Sequence, residues 1–340
     1  FSLGSAPLTS ENYIGMTPSA YPSGAGAEID TKGAIANVPL SYYGIANASY
    51  DSVSLSVASQ DTAPNGMTFN ADGTKLFIVG RSSDSVYQYT LSTAFDLSTA
   101  SYSNVSFSVA SQDANPFDMA LNNNGTKMYM LGRTSDNVHQ YTLSTAFDLS
   151  TASYDSVSFS VASQDANPSN IAFNIDGTKM YILGYSAAAV FQYSLSTAFN
   201  VGTASYDSVS FSITQDNAPE GMTFNADGTK LFMVGGTGDS VYQYSLSTAF
   251  NVSTMSYDSV SFSVASQDND PSDIAFNNDG TKMYVVGRTN DSVQQYSTLV
   301  SLTAGQSYFV QTDGTITTTA GTPSVFAGTA VSATKLIVKG

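Results

Sequence analysis

The sequence predicts an all-β protein: a five-bladed β-propeller inserted into a small discontinuous β domain. Three observations carry this. The turn Asn-x-Asp-Gly-Thr-Lys recurs with its glycine at Gly73, Gly125, Gly177, Gly228 and Gly280, steps of 52, 52, 51 and 52 residues. Each unit is dense in short strands and turns, the signature of a propeller blade rather than of a helical solenoid coil. The array also starts and stops out of phase by one strand, which predicts a ring that closes on itself.

The first full unit shows the pattern. Gly66 to Asn70 reads as a short alternating strand, a, and Ala71-Asp72-Gly73-Thr74 as a tight turn. Lys75-Leu76-Phe77-Ile78-Val79 is a continuous apolar run, strand b, ended by Gly80. Such a run implies burial on both faces, as when a sheet packs between two neighbours. Ser85-Val86-Tyr87-Gln88-Tyr89 is strand c, and a longer connection from Leu91 to Tyr102 leads to strand d. There Asn104 to Val109 alternates apolar residues with serine.

The region opens on a d strand, Ser52 to Val57, and closes on a c strand, Ser292 to Tyr296. The first d strand is expected to complete the last blade, removing the exposed edges of an open array. An open β-solenoid is the competing architecture, but its coils are usually shorter and lack this hairpin-rich pattern. The propeller is expected over residues 46–296. Segments 1–45 and 297–340 are expected to form one small β domain, since neither half alone buries much surface. Its strands are expected at Tyr13 to Met16, Ala27 to Thr31, Ser307 to Gln311, Val325 to Ala330 and Lys335 to Lys339, with a hairpin turn at Thr312 to Thr315.

Composition excludes several classes. The net charge is −16, and only Glu11, Glu28 and Glu220 are glutamates, so aspartate supplies most of it. A chain this acidic lacks the footprint of a nucleic-acid or anionic-membrane binder. Cysteine is absent, which excludes disulfides and thiolate sites. No apolar run approaches the ~20 residues of a spanning helix. No leader peptide is visible, and a start at Phe1 points to a processed or truncated N-terminus.

His139 is the sole histidine and stands where the first unit has Tyr87, so a histidine triad or multi-histidine zinc site is excluded. Glycoside hydrolysis would need two differently tuned acids in one cleft. Most acids here repeat in register, as turn residues do. Asp72, Asp176, Asp227 and Asp279 occupy the a–b turn, with Asn124 in the second unit. Asp61, Asp113, Asp165, Asp216 and Asp268 precede strand a. They are expected either as a crown of carboxylates near the axis, able to take a hard cation such as Ca²⁺, or as loop caps. No cofactor is expected.

The a–b turns and c–d connections are nearly identical between units, whereas the d–a and b–c loops differ. Antiparallel order puts both variable types on one face, the better candidate for recognition, although ordinary loop drift would also produce the variation. The b–c loops open with Arg81, Arg133, Tyr185, Gly236 and Arg288. Candidate ligand-binding residues on that face are Arg81, Asp84, Phe117, Asp118, Arg133, Asp136, Tyr185, Glu220, Asp273, Arg288 and Asp291. Arginine and tyrosine there suit carbohydrate or carboxylate ligands through bidentate hydrogen bonds and ring stacking.

The segment Leu8-Thr9-Ser10-Glu11-Asn12-Tyr13-Ile14-Gly15, joined to Leu302-Thr303-Ala304-Gly305-Gln306-Ser307-Tyr308-Phe309-Val310-Gln311, resembles a module of bacteriophage tail-fibre and virion-appendage proteins. The resemblance continues through Asp313-Gly314-Thr315, Thr322 to Ala330, and the ending Ser332-Ala333-Thr334-Lys335-Leu336-Ile337-Val338-Lys339-Gly340. In that family the two halves are nearly contiguous, so the propeller looks like an insertion. The blade motif Asp279 to Gly287 is similar to repeats of marine phage and environmental bacterial proteins.

The resemblance implies a non-enzymatic virion protein, a tail fibre or similar appendage. Its propeller would face a host-surface glycan or receptor, and its flanking domain would contact other virion proteins. It also implies a location on the particle surface and self-association, commonly as trimers. A multivalent lectin, a purely structural decoration protein and, with least support, a glycan depolymerase using Glu220 are the alternatives.

Overall fold

The computed structural model describes residues 35–37, 43–298, 305–310, 316–317, 320, 325–332 and 335–338. Contacts divide the chain into two units, Ala48–Ser297 and the pair Phe1–Asn47 with Thr298–Gly340. The expected strands at Tyr13 to Met16 and Ala27 to Thr31, and the turn at Thr312 to Thr315, lie outside the described residues.

The larger unit is a ring of five four-stranded antiparallel sheets. In the first blade strands a to d are Pro64–Phe69, Lys75–Gly80, Ser85–Leu91 and Ala100–Ser108. The next three blades repeat this order. The fifth takes Pro271–Phe276, Lys282–Gly287 and Ser292–Ser297 from the end of the array and Ser49–Ser56 from its beginning. Ser49 pairs with Ser297, Tyr50 with Tyr296 and Val53 with Gln295, so the ring shuts as the phasing predicts.

Burial explains strand b. Leu76, Phe77, Ile78 and Val79 are all essentially inaccessible, and they divide between two layers. Leu76 and Ile78 pack with Tyr284, Val286 and Val293 of the fifth blade. Phe77 and Val79 pack with Met119, Met128 and Met130 of the second. Each such side chain contributes about 1.5–3 kcal/mol. The core is therefore a set of inter-blade layers, and an apolar run is what a strand between two layers requires.

Polar staples lock the blades in register. The strand-c glutamine of one blade accepts from the backbone amide opening the next blade's short 3-10 turn. Gln88 Oε1 takes Leu149 N at 3.0 Å, Gln140 takes Val201, Gln192 takes Val252, and Gln295 takes Leu97 across the seam. A strand-b tyrosine donates to the carbonyl of the phenylalanine before that turn: Tyr129 to Phe199, Tyr181 to Phe250 and Tyr284 to Phe95. The first blade has Phe77 at this position, and Lys75 Nζ supplies the missing donor to Phe147 O at 2.7 Å. That lysine is released because Ser103 replaces the aspartate that holds Lys127, Lys179, Lys230 and Lys282 elsewhere.

The uniform face depends on one glycine position. Gly73 has φ 72°, and a side chain there would overlap the ring of Phe95, the residue whose backbone N–H donates to Gly73 O at 2.9 Å. Phe95 itself sits at φ 60°, a costly conformation for a bulky residue, held by its contact with Phe69. Tyr43 at φ 63° followed by the 3-10 turn Ile45–Asn47 copies Phe95 and Leu97–Thr99, so the repeat pattern reaches upstream to residue 43. The outermost strands carry a bulge at Ser52, Asn104, Ser156, Ser208 and Ser259, all with positive φ, which breaks the free edge against pairing with another chain.

In the smaller unit the described strands form one antiparallel sheet. Ile35–Asn37 pairs with Lys335–Val338, then come Val325–Ser332, Ser307–Val310 and Ile316–Thr317. A strand from before the ring thus shares a sheet with strands from after it.

Asp51 ties the seam, bonding Lys282 Nζ at 2.5 Å, Ser297 Oγ at 2.6 Å and Gln295 Nε2 at 2.9 Å. Burial opposes its charge, but these donors outweigh it and hold its carboxyl below the usual value. Asp51→Ala is expected to lower stability by about 1–3 kcal/mol in denaturant unfolding. The folded carboxyl being the stronger acid, its contribution is present above the unfolded value near ~4 and lost as pH falls below it. The Asp51→Ala penalty should therefore shrink towards pH 3.

Candidate functional site

Strand a lines the axis and begins earlier than the sequence suggests. It starts at the proline, in Pro64–Phe69, Pro116–Leu121, Pro168–Phe173, Pro219–Phe224 and Pro271–Phe276. The two residues after each proline are in strand because a bulge lets the proline pair with the glycine ending strand b. They form two polar levels along the axis. The outer level is Asn65, Phe117, Ser169, Glu220 and Ser272, and the inner one is Gly66, Asp118, Asn170, Gly221 and Asp273. All ten are buried.

The five aspartates before strand a do not form an axial crown. Each is buried and spends its carboxylate on amides of its own blade. Asp61 accepts from Ala63 N at 2.8 Å, Ser82 N at 3.2 Å and Ser83 N at 2.9 Å, tying the d–a loop to the b–c loop. Asp113, Asp165, Asp216 and Asp268 repeat the device. Both variable loops therefore share a face. Among the described residues, no group of three or more histidine, aspartate or glutamate side chains is arranged to hold a metal ion.

Six of the candidate residues meet at the mouth of the axis on this face: Arg81, Phe117, Arg133, Tyr185, Glu220 and Arg288. The Arg133 guanidinium lies 3.3 Å from the Phe117 ring centroid and 5.0 Å from that of Tyr185, with Arg81 5.9 Å from Phe117. Arg133 Nε donates to Pro168 O at 3.3 Å, but its buried Nη2 has no partner. No carboxylate lies within ion-pair distance of it among the described residues. Burial lowers its pKa to about 10, with Glu220 opposing and Arg288 and Arg81 adding to the fall.

Arg288 is different. It bonds Asp270 through Nε at 3.0 Å and Nη2 at 2.7 Å, reaches Glu220 at 3.1 Å, and donates to Asn65 Oδ1 at 3.1 Å. Burial alone would weaken its hold on the proton, but Asp270 and Glu220 outweigh that and raise its pKa. Glu220 is pushed up by burial, a shift Arg288 and Arg133 reduce without cancelling.

Asp118 and Asp273 lie one level deeper. Asp84, Asp136 and Asp291 stand away from the mouth in the b–c turns, at φ 48°, 52° and 44°. Burial and the neighbouring aspartates raise all three carboxyls. His139 does what Tyr87 does: its Nε2 meets Ser135 Oγ at 3.1 Å, as the Tyr87 hydroxyl meets Ser83 Oγ. Burial lowers its pKa, so it is neutral at pH 7. In the fifth blade Gln294 replaces these rings, leaving a polar pocket of about 280 Å³ beside Tyr50, Gln267 and Asn290.

Sequence reasoning missed Asn65, Asn170 and Asp270. The first two share register positions with Phe117 and Asp118, so aligning the five units strand by strand rather than as loops would have found them.

The chain matches no protein-family model and no curated protein. Among solved structures it is similar to a provisionally assigned 6-phosphogluconolactonase from Bacteroides uniformis, at 13% identity over 81% of this chain and 85% of that one, with a TM-score of 0.44. A functionally unknown protein from Desulfotomaculum acetoxidans matches at 11% identity over 81% and 89%, TM-score 0.45. A protein from Lactobacillus plantarum matches at 15% identity over 75% and 69%, TM-score 0.41. Likeness at this level concerns fold and transfers no activity. What stands is a closed five-bladed propeller with a cationic and aromatic mouth on its variable face.

The two arginines predict opposite outcomes. Arg288→Ala strands Glu220 in a buried setting and is expected to cost about 3 kcal/mol in denaturant unfolding. Arg133→Ala removes a buried charge without an acidic partner and should cost less than about 1 kcal/mol, or stabilise.

Proposed function

We propose that this chain is a non-enzymatic recognition protein whose propeller mouth binds a carboxylate-bearing glycan. One observation carries the reading. The half-buried Arg133 guanidinium has no acidic partner among the described residues and is framed by Phe117 and Tyr185, so a carboxylate arriving at the mouth would supply the ion pair the chain leaves open. Guanidinium is the group suited to gripping carboxylates in a fixed plane. Sugar rings add stacking on exposed aromatic surface, which Tyr185, half-exposed beside Arg133, offers. The nearby acids support binding over catalysis. Glu220 and Asp270 are both held by Arg288, leaving neither as a free general acid beside a second carboxylate.

The setting of this activity is a phage virion, with the chain as part of a tail fibre or similar surface appendage meeting a host-cell glycan or receptor. The sequence resemblance of the flanking segments supports it. Contacts with other virion proteins and self-association as a trimer belong to the same reading and rest on the same resemblance.

A glycan array probed with the whole chain is expected to give signal on uronic-acid or sialic-acid glycans and none on their neutral counterparts. Arg133→Ala should weaken binding by at least about tenfold, the loss of one charge-assisted contact. Glu220→Gln should release no less reducing sugar from host polysaccharide than the parent chain, because neither releases any. Binding confined to neutral glycans would overturn the ligand assignment. Sugar release that Glu220→Gln abolishes would overturn the non-enzymatic one.

A further inference from the structure

The inner level of the axis holds a second arrangement that glycan recognition does not use. Asp118, Asn170 and Asp273 come from the second, third and fifth blades and share one register position. Asn170 Nδ2 donates to Asp273 Oδ1 at 2.9 Å, passing the fourth blade, where Gly221 stands. A Cβ on Gly221 would come 2.5 Å from Asp273 Cα, and one on Gly66 would come 2.7 Å from Asp118 Cα. Only glycine at these two positions lets the three polar side chains share the axis.

Each carboxylate has one oxygen anchored to the next strand's backbone. Asp118 Oδ2 accepts from Ile171 N at 2.8 Å and Asp273 Oδ2 from Met67 N at 2.8 Å. Of the remaining oxygens, Asp273 Oδ1 accepts from Asn170, whereas Asp118 Oδ1 and Asn170 Oδ1 have no partner at all. Both residues are 2% exposed. Two carboxylates and an amide oxygen, all buried and with no arginine or lysine bonded to them, are an oxygen-only donor set without a counter-charge.

We infer that the axis binds one hard divalent cation of the calcium or magnesium class between Asp118 Oδ1, Asp273 and Asn170 Oδ1. All-oxygen donor sets select such ions over softer metals. An unneutralised buried carboxylate pair is costly, and a cation removes that cost directly. The tethered Oδ2 atoms fix the carboxylate planes, which is how outer hydrogen bonds hold metal ligands.

Without a cation, burial raises the Asp118 carboxyl, and burial together with the Asp118 charge raises that of Asp273. The groups facing the pair are Met67 N and Gly66 from the first blade, Asn170 and Ile171 N from the third, and Gly221 from the fourth. Arg133, Glu220 and Arg288 lie at the level above.

The experiment uses the whole chain, unfolded and refolded at pH 8 into EDTA, CaCl₂ or MgCl₂, since a buried site exchanges slowly. Elemental analysis after desalting is expected to find one divalent ion per chain in a metal arm. The melting temperature in that arm should exceed the EDTA arm by about 5 °C or more. Asp273→Asn and Asp118→Asn should each abolish the bound ion and the difference, while melting above the wild type in EDTA. If the variants fail to fold, the wild-type metal content still decides. Metal-free protein with equal melting temperatures in all three arms would overturn the site. A melting temperature that rises from pH 8 to pH 6 regardless of metal would also overturn it, making a shared proton the neutralising species. The mouth residues are untouched by these variants, so glycan binding stands or falls separately.

Discussion

Everything in the larger unit depends on the seam where Ser49–Ser56 is hydrogen-bonded to Ser292–Ser297. Each blade buries strand b between two neighbours, so an open row would leave two such faces in water. The seam turns the row into a ring in which Tyr284, Val286 and Val293 meet Met67, Leu76 and Ile78 as any other pair of blades meets. Asp51, Gln295 and Tyr284 then carry the same polar staples across the seam that their counterparts carry elsewhere. Closure also fixes the axis, and without a fixed axis neither polar level exists.

The two faces of the disc follow different rules. On the uniform face every unit must satisfy the same amides, so the glycine of the turn, the phenylalanine at positive φ and the strand-c glutamine recur. Where one part changes, another compensates, as when Lys75 takes over the carbonyl that a tyrosine serves in other blades. On the variable face the scaffold asks only for the aspartate that ties the two loops. The residues beside it are free to differ, and they differ in charge and shape: arginine, tyrosine or glycine in the b–c loops, asparagine, phenylalanine, serine or glutamate on the strand below. Five equal blades thereby build one unequal mouth.

Charge is distributed to match. The aspartates of the variable face are tied into their loops, while Arg81, Arg133 and Arg288 converge at the mouth. Within that cluster Arg288 is a structural cation, fully engaged by Asp270 and Glu220. Arg133 is engaged by rings and a carbonyl alone. That contrast sets the two arginines apart despite a net charge of −16 for the chain.

Much was legible in the amino-acid order. The spacing of Gly73 and its copies gave the blade count, the offset of the first d strand gave the closure, and the apolar run of strand b gave its burial on both sides. These are short-range patterns with a single physical cause each, the period of a strand or the conformation of a turn. The mouth residues Arg81, Phe117, Arg133, Tyr185, Glu220 and Arg288 were also visible, because they break an otherwise exact repeat. The tertiary structure alone decided that Asp61 and its copies serve as loop ties, that Asp84, Asp136 and Asp291 stay in their turns, and that Asn170 reaches Asp273 across the axis. Those outcomes depend on how closely five inner strands approach one another, a distance set by Gly66, Gly221 and the whole closed ring, which no single repeat encodes.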